Sequence, residues 1–394
     1  MAIVDEHGKV VGRRRIDTGL PGFTELMALL AEHTEDPTSV PVAIETDKNL
    51  IVVALQAAGF TMFAINPRAV ARYRERHGQS GKKSDPGDAA LLADVLRTDA
   101  RQHRPLPNIS DEGRAVKALA RQHQEAVWAV HQTTSRLRSV LLEFYPQALQ
   151  AFPNLKHKAA LTILATTAST PELGMKLTRR RVVALLQRCG RRNDPALVEQ
   201  ILADLKTPAL RQPAAVEDAL GLTVVSLLGV VVAMHTAVEQ LEQALSAQFN
   251  DHPLALVLRS APGLGPVLAA RVLAEVGDDP TRFSTAAGLR AFAGTAPVTR
   301  ASGRSRRVMA RRVRNKRLAD ACHWWAFAAL TRSAGTRAHY DRRRAAGDHH
   351  NAALRNLANK LLGRMWWCLQ NNQAWDDQTA WSNPATSQPA AVAA

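Results

Sequence analysis

The sequence predicts three successive segments: an α/β domain over residues 1–105, an all-α spacer over 106–254 and a mainly α region over 255–372. Three observations carry this. Strand and helix signals alternate in the first hundred residues, apolar residues recur at helical spacing through the middle, and a Gly-rich turn opens a new helical texture after residue 255. Residues 373–394, ending in NPATSQPAAVAA, read as a disordered tail.

In the first segment, AIVDEHGKVVGRRRI reads as a β-hairpin turning around Glu6-His7-Gly8. VPVAIET, Val40 to Thr46, is a short, mostly apolar strand ending in a carboxylate. LIVVALQAAGF follows as a helix, and TMFAINP as a second strand closed by Asn66-Pro67. Strand, crossover helix and strand imply a parallel pair. RPLPNISDEG, Arg104 to Gly113, is a linker with Ser110 placed to cap the next helix.

Val116, Leu119, Val127, Val130, Leu137, Leu141 and Phe144 mark the first long helix of the spacer. Leu227, Val231, Met234, Val238, Leu241 and Leu245 mark a second, in alternating steps of four and three. That is a short coiled-coil seam or a packed bundle helix, and both readings stand. The basic cluster Lys176 to Arg192 fits phosphate contact or a solvated face equally.

The charge points to partners. With 51 Lys+Arg against 35 Asp+Glu, the net charge is +16 and the pI is near 10.5. Such a surplus answers a polyanion, and nucleic acid is the commonest one. Cys189, Cys322 and Cys368 form no CxxC pair, which argues against a zinc module or disulfide framework and fits a reducing cytoplasm. The longest apolar run, Val224 to Met234, is too short to span a bilayer, so the expectation is a cytoplasmic protein with no membrane partner.

The carboxylates carry the first chemical hint. A two-metal nuclease site needs three or four hard oxygen ligands converging from different elements. Glu45 ends a presumed central strand, where functional groups of α/β sheets collect. Asp85 and Asp88, in KKSDPGDAALLADVL, share one helix face at i and i+3, and Pro86 suits a first turn with Asp85 as N-cap. Taken alone, the two aspartates read as an ordinary acidic helix start.

The order VAIET, AINP, KKSDPGDAALLA resembles the N-terminal half of the DEDD-type insertion-sequence transposases, the insertion-sequence family numbered 110. The resemblance implies a RuvC-like, ribonuclease-H-type domain with four acidic Mg2+ ligands. Glu45 matches the family's glutamate, and Asp85 and Asp88 match its closing pair. The family's first aspartate lies on an opening strand, whereas MAIVDEHGKVV matches the second strand and turn, so Asp5 aligns with the hairpin's own acid. The expectation is that this first, central strand is missing, a segment of roughly 10–20 residues.

The C-terminal segment opens with APGLGPVLAARVLAEVGD, the pattern of a helix-hairpin-helix element. The turn amides around Gly263 and Gly265 fit a phosphate contact or a bare chain reversal evenly. From Thr299 to Arg317 there are nine cations and no acid: Arg300, Arg304, Arg306, Arg307, Arg311, Arg312, Arg314, Lys316 and Arg317. These repel one another unless a polyanion is present. Ser302-Gly303 lies among them, where arginines could stabilise a pentavalent phosphate; alone, a Ser-Gly pair reads as a turn. FAGTAPVTRASGRSRR with RRVRNKRLADA resembles the family's C-terminal transposase domain, in which a G-x-x-P stretch leads to a catalytic Ser-Gly. Ser302 matches that serine, and Gly303 favours it over Ser305. The pairs Trp324-Trp325 and Trp366-Trp367 read as core packing ahead of base stacking.

Together these predict a DNA transposase in which Ser302 forms a transient link to DNA and the acidic set binds Mg2+. The resemblance further implies a homo-oligomer, dimer or tetramer, whose two sites combine across protomers, and a structured non-coding guide RNA. The alternatives are a RuvC-like metal-dependent nuclease or resolvase with Ser302 idle, and a non-catalytic DNA-binding protein.

Overall fold

The computed structural model describes residues 1–77, 84–191 and 194–382. They form two compact units, Met1–Asn108 and Ile109–Ala394.

In the N-terminal unit, β1 (Ala2–Val4) and β2 (Val10–Arg13) pair antiparallel. Asp5 builds the turn between them: its Oδ1 accepts the amides of His7 at 3.0 Å and Lys9 at 2.8 Å. Gly8 supplies the positive φ of 86° that the reversal requires. After α1 (Leu20–Ala31), β3 (Val42–Ile44) and β4 (Met62–Ala64) pair in parallel, with α2 (Leu50–Ala57) as the crossover. Asn66 then starts α3 (Pro67–His77), its Oδ1 accepting the Arg68 amide at 2.9 Å. α4 (Asp85–Asp99) packs against both β1 and β3.

Among the described residues no hydrogen bonds join the hairpin to the parallel pair, so the four strands form two separate two-stranded sheets. The unit is α/β as expected, without a continuous ribonuclease-H-type sheet. Leu26, Leu30, Val52, Leu55, Phe60 and Met62 form one core cluster, and Phe63, Ile65, Val70, Val95 and Leu96 a second.

The C-terminal unit begins with α5 (Asp111–Phe144), capped by Ser110, whose Oγ accepts the Gly113 amide at 2.9 Å. Five shorter helices follow: α6 (Pro146–Ala151), α7 (Lys158–Thr166), α8 (Pro171–Met175), α9 (Arg179–Arg188) and α10 (Pro195–Leu205). They build a core on Leu137, Leu141 and Phe144 of α5. Within the basic cluster, α9 buries Val182, Leu185 and Leu186 and pairs Arg179 with Glu199 at 3.2 Å, while Arg192 lies outside the described residues.

α11 (Ala214–Asn250) lies along α5. The expected seam is thus filled within the chain: Val231 and Leu245 are buried, and Leu228 takes the buried place in preference to its neighbour Leu227. By length and composition alone α11 is apolar enough to cross a membrane, a property that a core helix packed along a neighbour shares.

The remaining elements are α12 (Ala255–Arg259), α13 (Pro266–Val276), α14 (Ala286–Ala293), β5 (Val298–Ser302), β6 (Ser305–Met309), α15 (Lys316–Ala329), α16 (Ala334–Ala345), α17 (His350–Gln370) and α18 (Asp377–Trp381). Both long helices pack on α13, so spacer residues Val116, Ala120, Leu245 and Phe249 share one core with Leu273, Leu318, Trp325 and Leu361. Trp325 is fully buried, Trp366 and Trp367 pack against the same core, and Trp324 is exposed. Contrary to the expected tail from residue 373, Trp375 is buried and its amide donates to Ser260 Oγ at 2.7 Å. Residues 383–394 lie outside the described residues.

Candidate nucleic-acid interface

Glu45 follows β3 and is exposed. The cap of α4 is Ser84, whose side chain accepts the Gly87 amide, so Asp85 is the first helical residue and not the N-cap. Pro86 fits this assignment as well as the expected one, because proline is tolerated throughout the first turn. Asp88, one turn on, is held by Arg74 of α3: Nη2 to Oδ1 is 2.5 Å, with the two side chains 27% and 16% exposed.

Among the described residues no three His, Cys, Asp or Glu side chains come together as a metal site. Glu45, Asp85 and Asp88 therefore do not fit a magnesium ion in this arrangement, because the Asp88 carboxylate is already neutralised by a guanidinium. Lys82 and Lys83, ahead of the pair, lie outside the described residues.

The nine-cation stretch folds as a β-hairpin running into a helix. β5 and β6 pair from Val298–Met309 to Ser302–Ser305, around a two-residue turn. Gly303 takes a positive φ of 55° there and Arg304 does not, the Gly-first pattern of a type II′ turn. Ser302 thus stands at the tip, exposed, directly opposite Ser305 and flanked by exposed Arg300, Arg304, Arg306 and Arg307. Among the described residues no side chain accepts a hydrogen bond from its Oγ, so the hairpin supplies cations but no proton acceptor.

The base of the hairpin is fixed to the core. Gly294, in the G-x-x-P stretch, has φ +72°, and a Cβ there would meet Arg314 Cδ at 2.2 Å. Asn315 donates its backbone amide to Phe292 O at 2.8 Å, caps α15 by accepting the Leu318 amide, and donates Nδ2 to Glu275 Oε2 at 2.7 Å. Glu275, on α13 and only 3% exposed, also takes both ends of Arg121 at 2.7 and 3.0 Å. Sequence reasoning missed Arg121 and Glu275. The signal for them was a charged residue inside the apolar run VLAARVLAEV.

Not all the cations are free. Arg317 is ion-paired with Glu125 and lies over the Trp128 ring, 5.4 Å from its centroid, so it is an anchor of α15. Arg300, Arg304, Arg306, Arg307, Arg312, Arg314 and Lys316 are exposed, and Arg311 is half-buried.

The Gly-rich turn divides as well. Gly263 has φ +80° and its Cβ position lies 2.6 Å from the Ala329 backbone nitrogen, so it packs against α15. Gly265 is exposed at the start of α13 with open space around it.

Comparison with known proteins gives this geometry its context. A model described as a DEDD transposase of the IS110 type matches residues 1–146, which hold Glu45, Asp85 and Asp88. A second, described as transposase IS116/IS110/IS902 family, matches residues 255–341, which hold the turn and the hairpin. A protein assigned as the mini-circle transposase for IS117 in Streptomyces coelicolor is 47% identical over 388 residues, 97% of this chain and 94% of that protein. The chain belongs to the IS110 family of transposases. As a transposase it is an enzyme acting on DNA. It is also 33% identical to the 43.6 kDa protein of insertion element IS110 from the same organism, over 75% of this chain and 73% of that one. The 42 kDa protein of IS900 from Mycobacterium paratuberculosis is 30% identical, over 87% and 83%.

Proposed function

We propose that this transposase cuts and rejoins DNA through Ser302. The observation that carries the reading is the hairpin tip: an exposed hydroxyl surrounded by Arg300, Arg304, Arg306 and Arg307. In the first step Ser302 Oγ forms a bond to the scissile phosphorus, one P–O bond to deoxyribose breaks, and the departing oxygen takes a proton. In the second, a deoxyribose hydroxyl attacks the same phosphorus and releases Ser302. The number of phosphodiester bonds is conserved, so the exchange needs no outside energy source.

The guanidinium groups stabilise the added negative charge of the pentavalent phosphorus, and they remain protonated throughout. They cannot accept the Ser302 proton, so the acceptor lies outside the hairpin. In this reading the acidic set of the RuvC-like domain supplies it, from a second copy of the chain. Magnesium at Glu45, Asp85 and Asp88 carries no step here, because Arg74 occupies Asp88. A structured non-coding RNA as guide and a homo-oligomeric assembly belong to the same proposal and rest on the family resemblance.

The test is denaturing electrophoresis of full-length protein with a labelled element end. A protein–DNA adduct that survives denaturation and is absent from Ser302→Ala supports the reading. Adduct-free cleavage in both proteins favours a metal-dependent nuclease.

A further inference from the structure

A cavity of about 610 Å3 opens in the C-terminal unit between Trp128 of α5, the corner after α14, and α15 and α17. That volume lies within the range of small-ligand sites. Arg314, Lys316 and Arg355 line it, and among the described residues none of the three has a carboxylate partner. Three cations without a carboxylate partner lining one cavity give it a positive potential that attracts an anion.

The rest of the lining suits a base. Trp128 is 37% exposed, and its ring is fixed by the Arg317 guanidinium, itself paired with Glu125. Asp320 is positioned from the core side: Oδ2 accepts Gln124 Nε2 at 2.9 Å and lies 3.7 Å from buried Arg271. Its Oδ1 takes part in no hydrogen bond among the described residues. Burial lowers the His323 pKa below its ordinary value, outweighing the pull of Asp320 on this lining imidazole.

We infer that this cavity binds one unpaired nucleotide of a DNA strand, with its phosphate on Arg314, Lys316 and Arg355 and its base on Trp128. An amino group on the base edge donates to Asp320. The inference rests on the DNA-acting reading and deepens it, because Gly294 and Arg314 flank the hairpin that carries Ser302. A base still paired in duplex cannot offer its ring face to Trp128 and its pairing edge to Asp320 together, so the occupant is unpaired.

The experiment uses the full chain and two probes of one sequence, a single-stranded DNA oligonucleotide and its blunt duplex, each carrying 2-aminopurine. Expected are quenching of the single strand on binding, and a roughly tenfold weaker single-strand affinity in Trp128→Ala and in Arg355→Ala, with duplex affinity unchanged. Trp128→Phe keeps an aromatic face and retains most of the binding, which separates stacking from misfolding. Single-strand binding and quenching equal to wild type in both alanine variants would overturn the cavity assignment, even where Ser302 still forms its adduct. Tighter binding of the matching ribo-oligonucleotide would overturn the assignment to DNA. Wild-type protein that binds neither probe would overturn this inference and the DNA reading together.

Discussion

Arg74 on α3 and Asp88 on α4 meet at 2.5 Å in a partly buried ion pair, so one of the two α4 aspartates is matched to a guanidinium of its own unit. The pair ties α3 to α4 and places a fixed cation beside an aspartate that the family resemblance makes a metal ligand.

Removing that cation has two readable consequences. Arg74→Ala should lower the stability of the N-terminal unit by about 1–2 kcal/mol, between exposed and fully buried pairs, as read from urea unfolding. It should also raise the affinity of the full chain for manganese(II), measured by calorimetry, because Asp88 no longer has a competing cation. Unchanged values on both counts would show the pair to be incidental.

Glu275 holds Arg121 and Asn315 at once and is 3% exposed. Glu275→Ala removes the buried carboxylate that both Arg121 and Asn315 use, and loosens the start of α15. The expected cost is about 3 kcal/mol or more, seen as a lowered midpoint in chemical denaturation. Asn315→Ala should cost less, about 1 kcal/mol, because it removes a cap while the Arg121–Glu275 pair stays intact.

His123 gives the fold an acid-sensitive point. Burial, and secondly the charge of Arg271, lower its pKa to about 4. The unfolded chain takes up this proton near pH 6.5 while the folded chain does not, so stability is full above pH 6.5 and declines as pH falls towards 4. The decline amounts to about 3 kcal/mol, and thermal unfolding of His123→Gln across that window should lack it.

Alanine at Arg300, Arg304, Arg306 and Arg307 should weaken duplex binding at every sequence tested. Each phosphate left unneutralised makes the slope of log K against log salt shallower by about 0.9. A slope equal to that of the wild type would mean that the hairpin does not touch the backbone.

The local grammar of the N-terminal unit was legible in the sequence. Gly8 marked the hairpin turn, Asn66-Pro67 the end of β4, Ser110 the cap of α5, and the strand–helix–strand order the parallel pair. What escaped it is long-range. Arg74 reaches Asp88 across two helices, and Arg121 reaches Glu275 across 154 positions, pairings that no spacing rule encodes. Hairpin β5–β6 was hidden for another reason. From Thr299 to Met309 every residue is exposed, so no buried face imposes the two-residue alternation that would reveal strands. Ser302-Gly303 was readable as a turn, but the strands on either side of it were not.

Mass spectrometry of the trapped reaction shows whether Ser302 becomes joined to DNA. Wild-type protein incubated with an element end and digested should yield a peptide containing Ser302 with a nucleotide phosphate on Oγ. Ser302→Ala should yield no such peptide and no strand joining, while duplex binding persists. Strand joining at the wild-type level by Ser302→Ala would rule out a serine–DNA link.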